Sequence, residues 1–370
     1  MGIPVDSAEV GISASVPGGA GSAPGRGFLG FLRAHPILCL AILTPGIPEY
    51  LSTSSSLLTI GTDPFFFLLQ LGINVGQYTA GALLIREAML RWHKGWGSVF
   101  LLALAYGITE EGLGDNTLFN STHGTDGILG SFGRFDGVNW VWSTAVLAFH
   151  VIYSIGLPIL LLGLALPQTR GRSLVGRQGI GLAFASLIAA TSIEMVIVFG
   201  TDHFWLGWAL LVGSFVAIGA LVVAAYRVPA DLWTPRHVRP TLGPWPAAAI
   251  GFVFFPIAFV LEYDLLYFQI PADVVIVIEL VVFAMLLETV RRGVGRSGNE
   301  YLLVQLALGF VMWQAVFGVL LTLGLPYTLP LVALAVVFFI RLRRAYAPRA
   351  RSREAVGPPP VPAGATGRPH

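Results

Sequence analysis

Residues 139–177 read NWVWSTAVLAFHVIYSIGLPILLLGLALPQTRGRSLVGR. From Trp140 to Leu166 His150 is the one residue able to carry a charge, and the turn that follows holds Arg170, Arg172 and Arg177. A helix needs roughly 20 apolar residues to cross a bilayer, and this run has that length. Arginines close behind an apolar run mark its cytoplasmic end. The segment therefore reads as a transmembrane helix that enters from outside and leaves on a basic inner loop.

The same pattern extends in both directions. Apolar runs fall at about 34–50, 65–90, 96–113, 139–166, 178–200, 204–226, 244–262, 265–290, 300–324 and 327–345. With the N-terminus inside, all of the 22 Lys and Arg except Arg134 lie on one side of these runs. The intervening outer gaps carry acids instead: Glu49 and Asp63, then Asp115, Asp126 and Asp136, then Asp202, then Glu262 and Asp264. Segregation of this kind is the positive-inside signature. The expected fold is all-α: a polytopic membrane protein of about ten transmembrane helices, both termini cytoplasmic, in a prokaryotic plasma membrane. One transmembrane domain, 28–345, is expected between a disordered cytoplasmic tail, 1–27, and a disordered basic tail, 346–370.

Composition agrees. The 370 residues are 55% hydrophobic and 11% charged, with a mean hydropathy of +0.75, well outside the range of soluble domains. The net charge of +2 is uninformative beside its distribution. Basic residues spread over short loops rather than one face argue against nucleic-acid binding. The single cysteine, Cys39, excludes an internal disulfide and a Cys-based zinc site. No apolar core long enough for a signal peptide occurs before Arg26. Arg341, Arg343, Arg344, Arg349, Arg351 and Arg353 form a juxtamembrane cluster. Each such charge contributes on the order of 1 kcal/mol of attraction to anionic lipid headgroups, the expected partner there.

Two stretches depart from plain spanning helices. Pro45-Gly46-Ile47-Pro48-Glu49 removes two backbone donors and is expected to break the first helix near its outer end. Gly114–Val138 is a long outer segment, read either as a lid or as a free surface loop. Within it, Asn120-Ser121-Thr122 has the form of a glycosylation sequon.

Ionisable groups within hydrocarbon are costly and mark function by default. Arg86, Glu87 and Glu288 lie near helix ends, where snorkelling to the interface is expected. As sequence neighbours, Arg86 and Glu87 are not expected to face each other on a helix. What remains gathers in the outer half of the membrane: Glu49, Asn74, Gln77, Glu110, Glu111, His150, Glu194, His203 and Asp273, with Glu279 deeper. Ser143, Tyr153 and Ser154 share the face of His150, and Ser186 and Thr191 that of Glu194. Imidazoles and carboxylates are ligands for a divalent metal such as zinc, and a second carboxylate can act as general base on a metal-bound water. Glu110 and Glu111 are the candidate catalytic acids, and His150 and His203 the candidate ligands. Glu49, Asn74, Glu194 and Asp273 are candidates for an ion path.

Glu110-Glu111, then His150 on a helix, then His203 resembles the motif order of the CAAX-protease and bacteriocin-processing (CPBP) intramembrane metalloprotease superfamily. Its members carry EExxxR, FxxxH and HxxxN motifs. The resemblance covers residues 96–207, and Asp115, Val146 and Gly207 stand where those motifs have Arg, Phe and Asn. It implies that Glu110 or Glu111 activates water and that His150 and His203 bind metal or stabilise an oxyanion. Two other classes stay open from the residues alone. The acids also suit an ion-coupled transporter or permease, and close-packing small residues such as Gly72 and Gly76 also suit a non-catalytic scaffold.

Overall fold

The computed structural model describes residues 28–122, 130–234, 240–294, 299–322 and 328–355. It is helical apart from one small hairpin, β1 (Arg134–Phe135) and β2 (Val138–Asn139), in which Arg134 pairs with Asn139. α1 (Phe28–Ala34) belongs to a unit ending at His35, and a second unit holds the chain from Pro36 onward. There α2 (Pro36–Pro45) runs into a π-helical segment, Gly46–Leu51. After α3 (Thr59–Thr62), α4 (Pro64–Arg91) starts where Asp63 Oδ1 accepts from Phe66 N at 2.9 Å, with Pro64 at the position where a missing N–H is harmless. α5 (Trp96–Gly107) continues as a second π segment, Ile108–Gly114. α6 (Trp140–Phe149) is capped by Asn139 and passes through a third, His150–Gly156, into α7 (Leu157–Ala165). α8 (Arg177–Asp202), α9 (Trp208–Arg227), α10 (Pro244–Tyr267), α11 (Ala272–Val294), α12 (Glu300–Leu321) and α13 (Thr328–Ala355) complete the bundle.

Among the described residues, five helices are long and apolar enough to cross a membrane: α4, the continuous Trp140–Ala165, α8, α9 and α12. Pro36–Leu51 and Pro244–Ile257 are shorter apolar helices. α8 and α9 are peripheral and turn large apolar side chains outward, among them Leu182 at 73% exposure and Val216 at 66%. A sheath of that kind fits a lipid-facing surface and is unusual on a soluble monomer. On the inside, α10 and α12 cross so closely that a Cβ at Gly309 would lie 2.0 Å from the Ala248 carbonyl, the small-residue contact that lets helices meet without water.

Side-chain contacts collect the basic gaps at one end of the bundle. Arg91 donates to Val175 O at 2.7 Å, Lys94 to Val228 O at 2.8 Å, and Arg170 reaches Glu300 and Tyr346. Two of the acidic gaps meet where Asn120 Nδ2 donates to Asp202 at 2.9 Å.

Several expectations are corrected. Pro45 and Pro48 do not break the first helix; its backbone continues past Pro45 as a π segment, Gly46–Leu51. Arg86 and Glu87 do not snorkel. They are 4% and 1% exposed and form an ion pair of 3.2 Å, because the turn at 166–176 folds back over them. Arg86 donates to the Thr169 and Arg172 carbonyls, and Glu87 accepts from Leu174 N and Ser173. The described part of Gly114–Val138 is no free loop, since Leu118 and Phe119 pack with Leu113, Val146 and Leu206. Asn120 is fully buried, which removes it as a glycosylation acceptor. α13 runs through Ala355, so residues 346–355 continue a helix; residues 1–27 and 356–370 lie outside the described residues.

Candidate metal and acid–base centre

The three π segments carry the titratable residues of one buried cluster: Glu49 on the first, Glu110 and Glu111 on the second, His150 on the third. In an α-helix neighbours diverge by about 100°, and two adjacent glutamates cannot both face one partner. A π turn bonds each N–H to the fifth carbonyl back, as Asp115 N does to Glu110 O at 2.8 Å. Its larger turn reduces the angle between neighbours, and both carboxylates reach the same imidazole. Gly107 makes the approach possible: a Cβ there would lie 2.8 Å from Leu147 Cδ2 and 3.3 Å from His150 Cβ.

His150 Nε2 lies 2.7 Å from Glu110 Oε2 and 2.7 Å from Glu111 Oε1. Its Nδ1 is 2.9 Å from Ser154 Oγ, one turn along the helix. When that hydroxyl donates, Nε2 carries the ring hydrogen, which can point at only one carboxylate. The alignment favours Glu111. Glu110 Oε2 is then buried without a hydrogen bond of its own, though it stands beside the same nitrogen. The far oxygen of Glu111 accepts from Thr117 Oγ1, which in turn accepts from Trp142 Nε1 at 3.1 Å. The far oxygen of Glu110 meets Tyr78 Oη at 2.8 Å.

Tyr78 extends the cluster. Its hydroxyl is also 2.6 Å from Glu49 Oε1, while Ser55 Oγ donates to Glu49 Oε2 at 2.7 Å and accepts from Asn74 Nδ2 at 2.9 Å. Tyr106 packs its ring edge-on against Tyr78 and His150 and lies within electrostatic reach of Glu49, Glu110, Glu111 and Glu194. Among the described residues, His150 is the one basic side chain that touches Glu110 or Glu111. Several buried acids against a single imidazole leave an excess of negative charge that a low-dielectric site must neutralise with protons or a cation.

Glu110, Glu111 and His150 are buried, and each offers a ligand atom within 4.8 Å of the others, a geometry able to hold a metal ion. The donor chemistry fits: imidazole nitrogen and carboxylate oxygen with an open fourth position is the arrangement of catalytic zinc sites. The orphaned Glu110 Oε2 supplies an acceptor that the protein's own hydrogens do not satisfy.

The remaining candidates divide. Glu49 and Asn74 join the centre through Tyr78 and Ser55, and Glu194 lies on its other side against Gly114. His203 does not join it: it is exposed, caps the end of α8 at φ 54° and donates its N–H to Phe199 O. Its expected role as a ligand is corrected, because the helix ends before the side chain can turn inward. Asp273 is likewise exposed, in the first turn of α11. Glu279 is wholly buried, with neither oxygen hydrogen-bonded among the described residues, and is no part of the cluster. Tyr78 and Thr117 are the functional residues that sequence reasoning missed. Tyr78 lies four residues after Asn74 on α4, hence on the same face, and that spacing was a usable signal. No protein-family model, curated protein or solved structure matches this chain.

Proposed function

We propose that this chain is a multi-pass membrane protein of about ten spans with cytoplasmic termini, and that Glu110, Glu111 and His150 form the reacting centre of a metal-dependent intramembrane peptidase. The observation that carries this reading is the convergence of two carboxylates from one π segment on one buried imidazole nitrogen, each at 2.7 Å. The contacts that join the basic gaps to one another support the topology. The basic cluster around Arg341, Arg343 and Arg344 is proposed to rest against anionic headgroups.

His150 and Glu111 would hold the metal, for which zinc suits the donors. When bound, it would supply a polarised water as nucleophile. Glu110 would be the base: its Oε2 has no hydrogen bond of its own and could take up a proton and hand it to a leaving amine. With a metal on Nε2, His150 Nδ1 would carry the ring hydrogen and donate it to Ser154 Oγ, which fixes that tautomer; Thr117 orients Glu111, and Tyr78 holds Glu110. Tyr106, Tyr78 and the packed segment at Leu118 and Phe119 shield the centre from bulk water. The resemblance to the CPBP superfamily agrees with this assignment at Glu110, Glu111 and His150, and departs from it at Asp115, Val146, Gly207 and the exposed His203.

Metal content of the detergent-purified protein tests the proposal. Stoichiometric zinc in the wild type, lost in His150→Ala and Glu111→Gln at equal folded yield, is the expected result. A metal-free wild type would end the metal reading. The runner-up, an ion-coupled transporter, is favoured by the Tyr78 bridge between Glu49 and Glu110. It predicts proton- or cation-coupled uptake that is lost in Glu49→Gln.

A further inference from the structure

Tyr106 stands near the end of α5, just before Gly107, and its phenol is buried beside the reacting centre. Among the described residues its hydroxyl bonds nothing. The ring meets that of His150 edge-on at 6.0 Å between centroids and that of Tyr78 at 5.8 Å. It also lies against the backbone of α4: a Cβ at Gly81 would stand 2.3 Å from Tyr106 Cδ2 and 2.4 Å from Cε2. Only glycine leaves room there, so α4 and the His150 segment hold the phenol in place.

An enclosed hydroxyl without a partner is costly and rare, and it asks for an explanation. Two other tyrosines among the described residues carry one, in different settings. Tyr153 packs among Phe149, Phe255 and Phe310, and Tyr50 faces Asn74. Of the three, Tyr106 is the one within electrostatic reach of both Glu110 and Glu111. The other donors of the centre are engaged: Tyr78 Oη with Glu49 and Glu110, Thr117 Oγ1 with Glu111, Trp142 Nε1 with Thr117, and Ser154 Oγ with His150. The centre therefore holds an unpartnered donor, Tyr106 Oη, and an unpartnered acceptor, Glu110 Oε2. Hydrolysis of a peptide bond needs one of each, an acceptor for the proton of water and a donor for the oxygen that becomes charged. His203, to which the resemblance would give the second role, is exposed at the end of α8 and leaves it unfilled.

We propose that Tyr106 is the oxyanion-stabilising residue of this centre, an assignment that rests on the peptidase reading. As the oxygen of water bonds to the carbonyl carbon, one water proton passes to Glu110 and the π electrons of the C=O bond move onto the carbonyl oxygen. The Tyr106 hydroxyl donates to that oxygen and keeps its own proton. When the C=O bond re-forms, the C–N bond breaks, and its electron pair leaves with the nitrogen, which takes the proton from Glu110. A new negative charge amid these acids needs a donor that no carboxylate has already taken. A neutral phenol meets that need, whereas a lysine or arginine at position 106 would pair with the glutamates themselves.

The test compares wild type with Tyr106→Phe, full-length and detergent-purified, by zinc content and by thermal unfolding with and without acetohydroxamate. This small oxyanion demands no particular peptide sequence. Without the probe, Tyr106→Phe should keep its zinc and hold its Tm within about 1 °C, since the hydroxyl has no partner to lose. A fall of several degrees would mean that the hydroxyl is bonded at rest, and overturns the proposal. With the probe, wild type should show a saturable rise in Tm, as for a ligand of the native state. In Tyr106→Phe the midpoint should move to a roughly tenfold higher concentration or more, the usual loss of a hydrogen bond to a charged group. Tyr153→Phe, the control, should leave it in place. An unchanged midpoint in Tyr106→Phe, or a zinc-loaded wild type that ignores the probe, overturns the assignment and leaves the metal site standing. A wild type without zinc removes the peptidase reading and this assignment together.

Discussion

The carboxylates of Glu49 and Glu110 meet at a single hydroxyl: Tyr78 Oη stands 2.6 Å from Oε1 of the first and 2.8 Å from Oε1 of the second. A phenol has one proton to donate. For both contacts to be hydrogen bonds, one carboxyl must return a proton to the phenol oxygen. The first helix is thereby tied to the Glu110 segment through a group neutral in itself, and Glu110 is held with its other oxygen toward His150.

Removal of that hydroxyl should leave an oxygen of Glu49 and one of Glu110 without a partner. Tyr78→Phe is expected to destabilise the protein by about 1–3 kcal/mol, the cost of an unsatisfied buried group, read as a lower Tm in detergent. Glu49→Gln supplies a donor of its own, so the double variant Tyr78→Phe/Glu49→Gln should lose less than the sum of the singles. Strict additivity would show that the two residues do not interact.

Ser154 acts on the metal site through His150. Its hydroxyl sits 2.9 Å from Nδ1 and can accept the hydrogen that Nδ1 carries when Nε2 is a ligand. Ser154→Ala is expected to weaken zinc binding roughly 10–100-fold, the usual consequence of losing a group that orients a ligating histidine. Competition with a chromophoric chelator measures it, and Tm should change little. Unaltered zinc affinity would separate Ser154 from the site.

The order of apolar and basic segments made the helical architecture legible, because the bilayer imposes length and charge rules on each segment separately. Glu110, Glu111 and His150 were legible as types at one depth, and Ser154 as a residue on the face of His150. What could not be read was the π register at Gly46–Leu51, Ile108–Gly114 and His150–Gly156. A regular helix would send Glu110 and Glu111 in diverging directions, whereas the wider turn brings both to one nitrogen. Arg86 and Glu87 were misjudged for a tertiary reason: nothing in α4 itself announces that the 166–176 turn folds back to bury them. His203 stays outside the cluster for a local reason: α8 ends at Asp202, and the His203 side chain is exposed.

Gly107 should be intolerant of any side chain. Its missing Cβ is the space into which Leu147 and His150 pack, and forcing α6 away costs about 1–3 kcal/mol in a filled core. Gly107→Ala is therefore expected to lower Tm and zinc content together. Gly46→Ala is the control, because a Cβ there meets nothing within 4 Å. Equal effects from the two would deny that close approach at Gly107 builds the site.

At the basic end, Arg86 is buried against Glu87 and two carbonyls of the turn between α7 and α8. Arg86→Ala strands the Glu87 charge, and loss of one partner from a buried pair costs about 3–5 kcal/mol. The prediction is a large fall in Tm together with protease sensitivity in the 166–176 turn. A variant as stable as wild type would mean that water or Arg91, already 3.3 Å from Glu87, takes over the role.

Topology gives the last prediction and bears on every other one, since the acidic end must be the outer end for the proposed centre to lie in the outer half of the bilayer. Ser121 is exposed beside the buried Asn120, and Gln168 is exposed in the turn that carries Arg170 and Arg172. Ser173 is a poorer probe, because its hydroxyl bonds Glu87. The native Cys39 is 7% exposed, which keeps the background of a thiol reagent low. A membrane-impermeant maleimide on intact cells should label Ser121→Cys and leave Gln168→Cys unmodified until the membrane is opened. The reverse pattern would place the Glu–His centre in the cytoplasmic half of the bilayer. Labelling of both in intact cells would show that residues 121 and 168 do not lie on opposite sides of the membrane.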